Sequence, residues 1–283
     1  MRLDDVKNRK SERHYTEYVY MAKRWAKEWG NLNCSQISKQ MVNNFLLERN
    51  SISGHAANKD IRYLKAVFYH ALKMEIATIK NPVIGIKSFS EDKRLKYIPP
   101  KDDIENVIHI AQNQDIKDYL IAIKDTMGRV SEINRLKWDD VKLERRSIIL
   151  YTRKSKDGGW TPREIHMTGR LHDVLCDRYK KRDEDKPWVF WHRYWSKKEQ
   201  RWVEGPYKDR KGLMKLLCKK AKVKYFRYHP LRHYGASTLD NLRFPIASIQ
   251  KILGHSKRST TELYIQSIND ADIEAMEVYG KIG

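Results

Sequence analysis

Only three of the 283 residues are cysteine, and Cys34, Cys176 and Cys218 are widely spaced and odd in number. They offer neither a disulfide framework nor the close pairs of a zinc site, which points to a reducing, intracellular setting. No apolar run approaches the roughly 18 residues that a membrane span needs. The first ten residues, MRLDDVKNRK, lack the apolar core and small-residue cleavage site of a secretory signal, so a cytoplasmic protein is expected. Internal repeats and low-complexity tracts are also missing, which argues against array folds. There is no P-loop and no carboxylate cluster, so neither a cofactor nor a metal ion is expected. Finally, acid is scarce: 36 Asp+Glu stand against 57 Lys+Arg, a net charge of +21.

What remains is 40% hydrophobic and 11% aromatic, enough for a packed core and too apolar for a disordered polybasic chain. The length suggests about two domains. Residues 1–90 hold 16 Lys+Arg and 8 Asp+Glu, leaving +13 of the excess to residues 91–283. A single basic tail does not give that division. An excess of this size is larger than solubility alone calls for. Its commonest partner is nucleic acid, because neutralising backbone phosphates releases counterions.

Apolar and aromatic residues recur at helical spacing over residues 14–29, where Gly30 stands at a C-cap position. Ser35 is expected to open a second helix reaching Glu48, and a third runs from His55 to Met74, stopped by Asn81-Pro82. Residues 1–87 therefore read as a compact helical domain. Residues 88–100, SFSEDKRLKYIPP, are charged and weakly periodic and read as a linker. Residues 101–283 form the second domain. Helical periodicity returns over 102–127, and 147–152 and 163–167 read as a hairpin around a polar turn with Gly158-Gly159 near its tip. A helix over 171–181 follows, then a tryptophan-rich stretch, 187–202, read as a strand pair that packs rather than stacks on bases. From Lys208 the chain reads as mostly helical. The fold class is mainly α with a small β-element.

Four segments carry reactive side chains: Gly128-Arg129-Val130-Ser131-Glu132, the hairpin with Lys154 and Lys156, His229-Pro230-Leu231-Arg232-His233, and Leu253-Gly254-His255 followed by Tyr264. Pro230 at the first position of a helix makes His229 its cap, three residues before Arg232. A helix start that adds an imidazole and a guanidinium to its free N–H groups is a phosphate cradle. Taken singly, each residue has a bland reading: a capping histidine, a solvated arginine, a packing tyrosine, an acid favoured by a helix dipole. Together, two arginines, a lysine, two histidines and a tyrosine in one domain are what metal-free chemistry on a phosphodiester requires.

These segments, in this order, resemble the tyrosine recombinase (phage integrase) family. TMGRVSEINRLKWDDV is similar to the family's first motif, which assigns Arg129 and the acid Glu132. The hairpin over 148–167 is similar to the catalytic-lysine hairpin, with Lys154 the better match and Lys156 the alternative. HPLRHYGAS resembles the histidine–x–x–arginine box, giving His229 and Arg232, and ILGHSKRSTTELY resembles the last motif, giving His255 and the nucleophile Tyr264. The N-terminal helices resemble the family's SAM-like core-binding domain, ahead of a tyrosine-recombinase catalytic domain. One departure is that the family often has a glycine after the helix of the second box; here Asn241 is expected to take that left-handed turn.

The resemblance implies cutting and rejoining of double-stranded DNA at a recombination site through a covalent 3′-phosphotyrosine, by four protomers on two duplexes. A free tyrosine hydroxyl, with a pKa near 10, is a poor nucleophile at neutral pH and must be positioned beside positive charge. Arg129 and Arg232 would grip the non-bridging oxygens, and His255 would donate to them. His229 would contact the same phosphate or take the tyrosine proton. The hairpin lysine would protonate the leaving 5′-oxygen. Glu132 would orient the cationic cluster. The tail after Tyr264 carries a short apolar set, Ile268, Ala271, Ile273, Ala275 and Met276, that either docks on a neighbouring protomer or packs on its own domain. A type IB topoisomerase-like activity is the enzymatic alternative, and a catalytically silent DNA-binding regulator is the non-enzymatic one.

Overall fold

The computed structural model describes residues 2–92, 96–153, 159–197, 199–208, 210–265 and 276–281. The chain divides into two compact units, residues 1–94 and 95–283. In the first, α1 (Arg2–Arg9), α2 (Glu12–Trp29), α3 (Lys39–Ile52) and α4 (Gly54–Lys73) enclose a core built on Trp25, Trp29, Leu46, Leu64 and Phe68. The periodicity did not foretell α1, which buries only Val6. The second predicted helix begins four residues later than expected. Cys34–Gln36 forms a 3-10 turn, closed where the Asn33 backbone N–H donates to Gln36 Oε1 at 2.7 Å, and the side chain that caps α3 is Ser38, which accepts from Met41 N. Two hydroxyl residues three apart compete for the same role, and Ser38 sits next to the uninterrupted turns.

A buried carboxylate, Asp60, ties this unit together. It accepts from Arg24 (2.9 Å), Arg49 (3.0 Å) and the Trp25 indole (3.1 Å), so three elements share one charge. The Asn58 amide makes two bonds to the Phe89 backbone, at 2.8 and 2.9 Å, so the chain just before the division packs on this unit.

The second unit starts with α5 (Lys101–His109) and α6 (Gln114–Thr126), with a break at Ile110–Asn113 inside the region predicted helical. α6 is its central strut: Tyr119, Leu120, Ala122 and Ile123 are essentially inaccessible. The short α7 (Val130–Ile133) follows. Then β1 (Val141–Lys142), β2 (Ser147–Thr152) and β3 (Thr161–His166) form an antiparallel sheet in the order β1-β2-β3, with Leu150 opposite Arg163. Next come α8 (Gly169–Lys180), capped by Thr168, and a second hairpin of β4 (Trp191–Ser196) and β5 (Arg201–Pro206). The tryptophan-rich stretch is therefore the strand pair expected. Phe190 and Tyr207 at its base join the core, while Trp195 and Trp202 face each other in an exposed cross-strand pair. The order closes with α9 (Lys211–Lys220), α10 (Tyr228–Asn241), α11 (Ile246–Leu253) and α12 (Arg258–Glu262). Residues 276–281 are helical, with Met276, Val278 and Tyr279 exposed; the rest of the tail's apolar set lies outside the described residues.

Two local expectations fail here. α10 is capped by Arg227 and begins at Tyr228, so Pro230 is its third residue and His229 lies inside the first turn. A proline is still tolerated there, because first-turn N–H groups have no partner within the helix. The left-handed residue after α10 is Arg243 (φ 59°), not Asn241, which stays helical. No described helix is long and apolar enough to cross a membrane.

Candidate active site

The left-handed Met127 (φ 48°) ends α6 and turns the chain so that Arg129 caps α7. Glu132 then reaches back: its Oε2 accepts from the Arg129 backbone N–H at 2.8 Å, and its Oε1 from Arg129 Nη1 at 2.8 Å. The strand β3 supplies a second cation. Arg163 lies on the inward face of the hairpin, in line with the buried Ile165 and opposite the buried Leu150. Its fork meets both Glu132 oxygens, at 3.0 and 2.6 Å. Burial by itself would raise the Glu132 pKa; the Arg163 fork and the Arg129 backbone donor outweigh it and hold the carboxyl down at about 2.

Arg163 also donates through Nε to the Ile252 carbonyl at 3.0 Å, near the C-terminal end of α11. That end is closed by Gly254 in the left-handed conformation (φ 62°). A Cβ there would sit 2.6 Å from Arg163 Cδ, so the glycine both turns the chain and leaves room for the guanidinium.

Arg232, on α10, is fully buried. It donates through Nη1 to the Met127 carbonyl at 2.6 Å and through Nη2 to the Leu253 carbonyl, with His255 Nε2 at 2.8 Å from the same nitrogen. Burial, with repulsion from Arg129, pushes its pKa down to about 10, still cationic at neutral pH. Because a guanidinium cannot accept, His255 Nε2 is the acceptor and its Nδ1–H faces Thr261 Oγ1 at 3.1 Å. The direct donor role expected for His255 is thus not the tautomer these contacts select: here it orients Arg232. Arg129 Nη2 and Arg232 Nε are buried and have no partner among the described residues. A buried donor left unpaired costs about 1–3 kcal/mol. Two of them on adjacent cationic side chains describe a receptor for an anion.

Tyr264 is nine-tenths buried in a small cluster with Ala236, Ile249 and Leu253. Its hydroxyl lies 2.9 Å from His229 Nε2. The ring is stacked on His233, with centroids 4.0 Å apart and planes 19° from parallel. His255 tilts against it at 4.7 Å, and Arg232 Cζ sits 5.5 Å from its centroid. Its backbone carbonyl accepts from Ser237 Oγ at 3.2 Å. Burial, with His229 and Lys96 nearby, pushes the His233 imidazole down to about 4, so its face stays neutral.

Of the residues singled out in the sequence, Arg129, Glu132, Arg232, His229, His255 and Tyr264 are connected through these contacts. Lys154 and Lys156 lie outside the described residues, although the strand leading to them reaches the cluster: Thr152 Oγ1 is 3.4 Å from Arg129 Nη1. Arg163, His233 and Thr261 were not foreseen. The signal for Arg163 was present as an arginine at an apolar register position, alternating with Ile165 and Met167. His233 and Thr261 carried no comparable signal.

The family described as "Phage integrase family" matches residues 99–270. The tyrosine recombinase XerA of Pyrococcus horikoshii is 27% identical over 232 residues, covering 82% of this chain and 76% of that protein. Among solved structures, the Tn1549 transposon integrase in complex with a circular intermediate DNA is similar with a TM-score of 0.72 at 19% identity, over 98% of this chain and 97% of that one. A lambda integrase tetramer bound to a Holliday junction is similar with a TM-score of 0.67 at 14% identity, over 93% and 75%.

Proposed function

This chain belongs to the phage integrase family and is a tyrosine-type site-specific recombinase; we propose that Tyr264 is its nucleophile and that Arg129, Arg232, His229, His255 and Glu132 complete the site that cuts and rejoins DNA. The observation that carries the reading is the Tyr264 hydroxyl held 2.9 Å from His229 Nε2, in a cluster that includes two arginines whose buried donors have no partner among the described residues.

A scissile phosphate takes the two spare donors, Arg129 Nη2 and Arg232 Nε, on its non-bridging oxygens. Donors set in advance toward charge that develops in the transition state are worth about 2.7–4 kcal/mol each. The tyrosine oxygen attacks phosphorus while its proton passes to His229 Nε2. The O–P bond to tyrosine forms as the bond to the 5′-oxygen breaks, and that oxygen takes a proton from the hairpin lysine, Lys154 or Lys156. The product is a 3′-phosphotyrosine and a 5′-hydroxyl. Attack by a hydroxyl of the partner strand reverses the step. The phosphotyrosine keeps the energy of the broken bond, so no ATP is needed.

Residues 1–87 are proposed as the core-binding domain and 101–283 as the catalytic domain, joined by 88–100. The partner is double-stranded DNA within the cell, gripped by the +21 charge. Four protomers on two duplexes are proposed for the exchange; the likeness to the lambda integrase, solved as a tetramer on a Holliday junction, supports this count. The test is a nicked suicide duplex carrying the protein's own attachment DNA. The expected result is a covalent protein–DNA adduct that Tyr264→Phe abolishes. An adduct that persists in that variant refutes the nucleophile.

A further inference from the structure

We infer that Arg163 is a positioning residue that acts as the counter-ion of Glu132 and thereby keeps Arg129 available to the scissile phosphate. The inference rests on the recombinase reading above and adds a residue that the motifs do not contain.

The carboxylate of Glu132 carries one negative charge and has two guanidinium neighbours, but they do not share it equally. Arg163 uses the full fork, one nitrogen on each oxygen, at 3.0 and 2.6 Å. Arg129 contacts the carboxylate through a single side-chain nitrogen, Nη1, and leaves Nη2 buried without a partner among the described residues. Two parallel N–H···O bonds are the strongest arrangement a guanidinium can make with a carboxylate. In a site where Glu132 is only 3% exposed, the Arg163 fork alone reaches both oxygens and balances the charge. Were Arg163 absent, the preferred state would be the same fork made by Arg129. That would spend Nη2 on Glu132 and neutralise the charge meant for phosphate. The division of labour is fixed by the backbone: β3 registers Arg163 opposite Leu150, and its Nε is anchored on the Ile252 carbonyl. The next carbonyl along, Leu253, accepts from Arg232. One turn end therefore sets both the counter-ion and the second phosphate ligand.

A merely structural partner of Glu132 shows its coupling to residue 132 in the melting temperature alone, with the rate per folded molecule kept. A counter-ion costs activity only while Glu132 is charged. The experiment is a double-mutant cycle of Arg163→Met and Glu132→Gln in the full chain, read as the single-turnover rate of adduct formation on the suicide duplex, with DNA affinity measured alongside. Arg163→Met alone is expected to slow adduct formation by about 100-fold, the scale of losing one pre-set donor, with affinity nearly kept. Adding Glu132→Gln to that variant is expected to recover at least about 10-fold, because a neutral amide no longer captures Arg129. Arg163→Lys, which keeps the charge without the fork, is expected to fall between parent and Arg163→Met. Rates are read per folded molecule from a melt of each variant, and Arg163→Lys with and without Glu132→Gln carries the same comparison if Arg163→Met does not fold. A double variant no faster than Arg163→Met, or an Arg163→Met variant as fast as the parent, overturns it. Absence of adduct from the parent protein is a different failure, that of the recombinase site itself.

Discussion

Replacing Gly254 with alanine tests the convergence of backbone and charge at the end of α11. Gly254 is left-handed, with φ 62°, a conformation that costs an L-residue about 1–2 kcal/mol. Part of that is offset, by about 0.4–1 kcal/mol, because alanine loses less chain entropy on folding. The larger cost is steric. The new Cβ would lie 2.6 Å from Arg163 Cδ, where ordinary contact begins at 3.4 Å, so the arginine must retreat by about 0.8 Å. A shift of that size moves its bonds to Glu132 and Ile252, now 2.6–3.0 Å, out of or to the edge of hydrogen-bonding range. Breaking a buried ion pair on this pattern costs about 3–5 kcal/mol. The sum is about 5 kcal/mol. For a unit of this size each kcal/mol lowers the melting temperature by about 2–4 °C, so a fall of about 10–20 °C is expected. Near-ultraviolet circular dichroism reports it. Adduct formation on the suicide duplex should slow by at least about 10-fold in the same variant, since Arg163 no longer holds Glu132. A Gly254→Ala protein that melts within about 2 °C of the parent, a change of about 0.5–1 kcal/mol at most, and cleaves at the parental rate would refute this account of how the turn and the arginine fit.

Three further outcomes are expected. His229→Gln should reduce single-turnover adduct formation by about 10²–10⁴-fold without weakening DNA binding; a loss under threefold would mean that Nε2 does not take the tyrosine proton. The His233 imidazole is held near 4 while the unfolded chain binds the same proton near 6.5, so stability should fall as pH drops between those values, by about 3 kcal/mol over the window. His233→Phe keeps the stack on Tyr264 but removes the proton, so its melting temperature should change less between pH 8 and pH 5 than the parent's; equal changes would count against the assignment. In Gly235→Ala the new Cβ would meet Met127 Cγ and Sδ at 2.5 Å, pressing on the residue whose carbonyl holds Arg232. Overpacking of this kind costs about 1–3 kcal/mol, and a thermal melt unchanged from the parent would show that Met127 yields freely.

Much of the proposed site was legible in the sequence because its residues come in short local patterns. The acid three residues from Arg129 and the arginine three residues from His229 are fixed by one helical turn each, and both pairs lie where their motifs put them. Local competition limited the detail. Ser35 and Ser38 both satisfy a capping pattern, and Pro230 fits the first or the third position of a helix. Nothing local chooses between Asn241 and Arg243 for the left-handed turn, and the choice falls where α10 must end to let α11 pack.

The sequence by itself determined the helical periodicity, the two β-hairpins, the basic excess and the order of the reactive boxes, because each of these is written within a few neighbouring residues. The tertiary structure alone decided how the charges are shared. Glu132 and Arg163 are 31 residues apart, Arg232 and the Met127 carbonyl 105, and His229 and Tyr264 35. Such pairs form only when α6, β3, α10 and α11 meet in one core. A carboxylate placed out of water takes whichever guanidinium the packing presents with the better fork. Here that is Arg163, and Arg129 is left with a donor that no described residue takes.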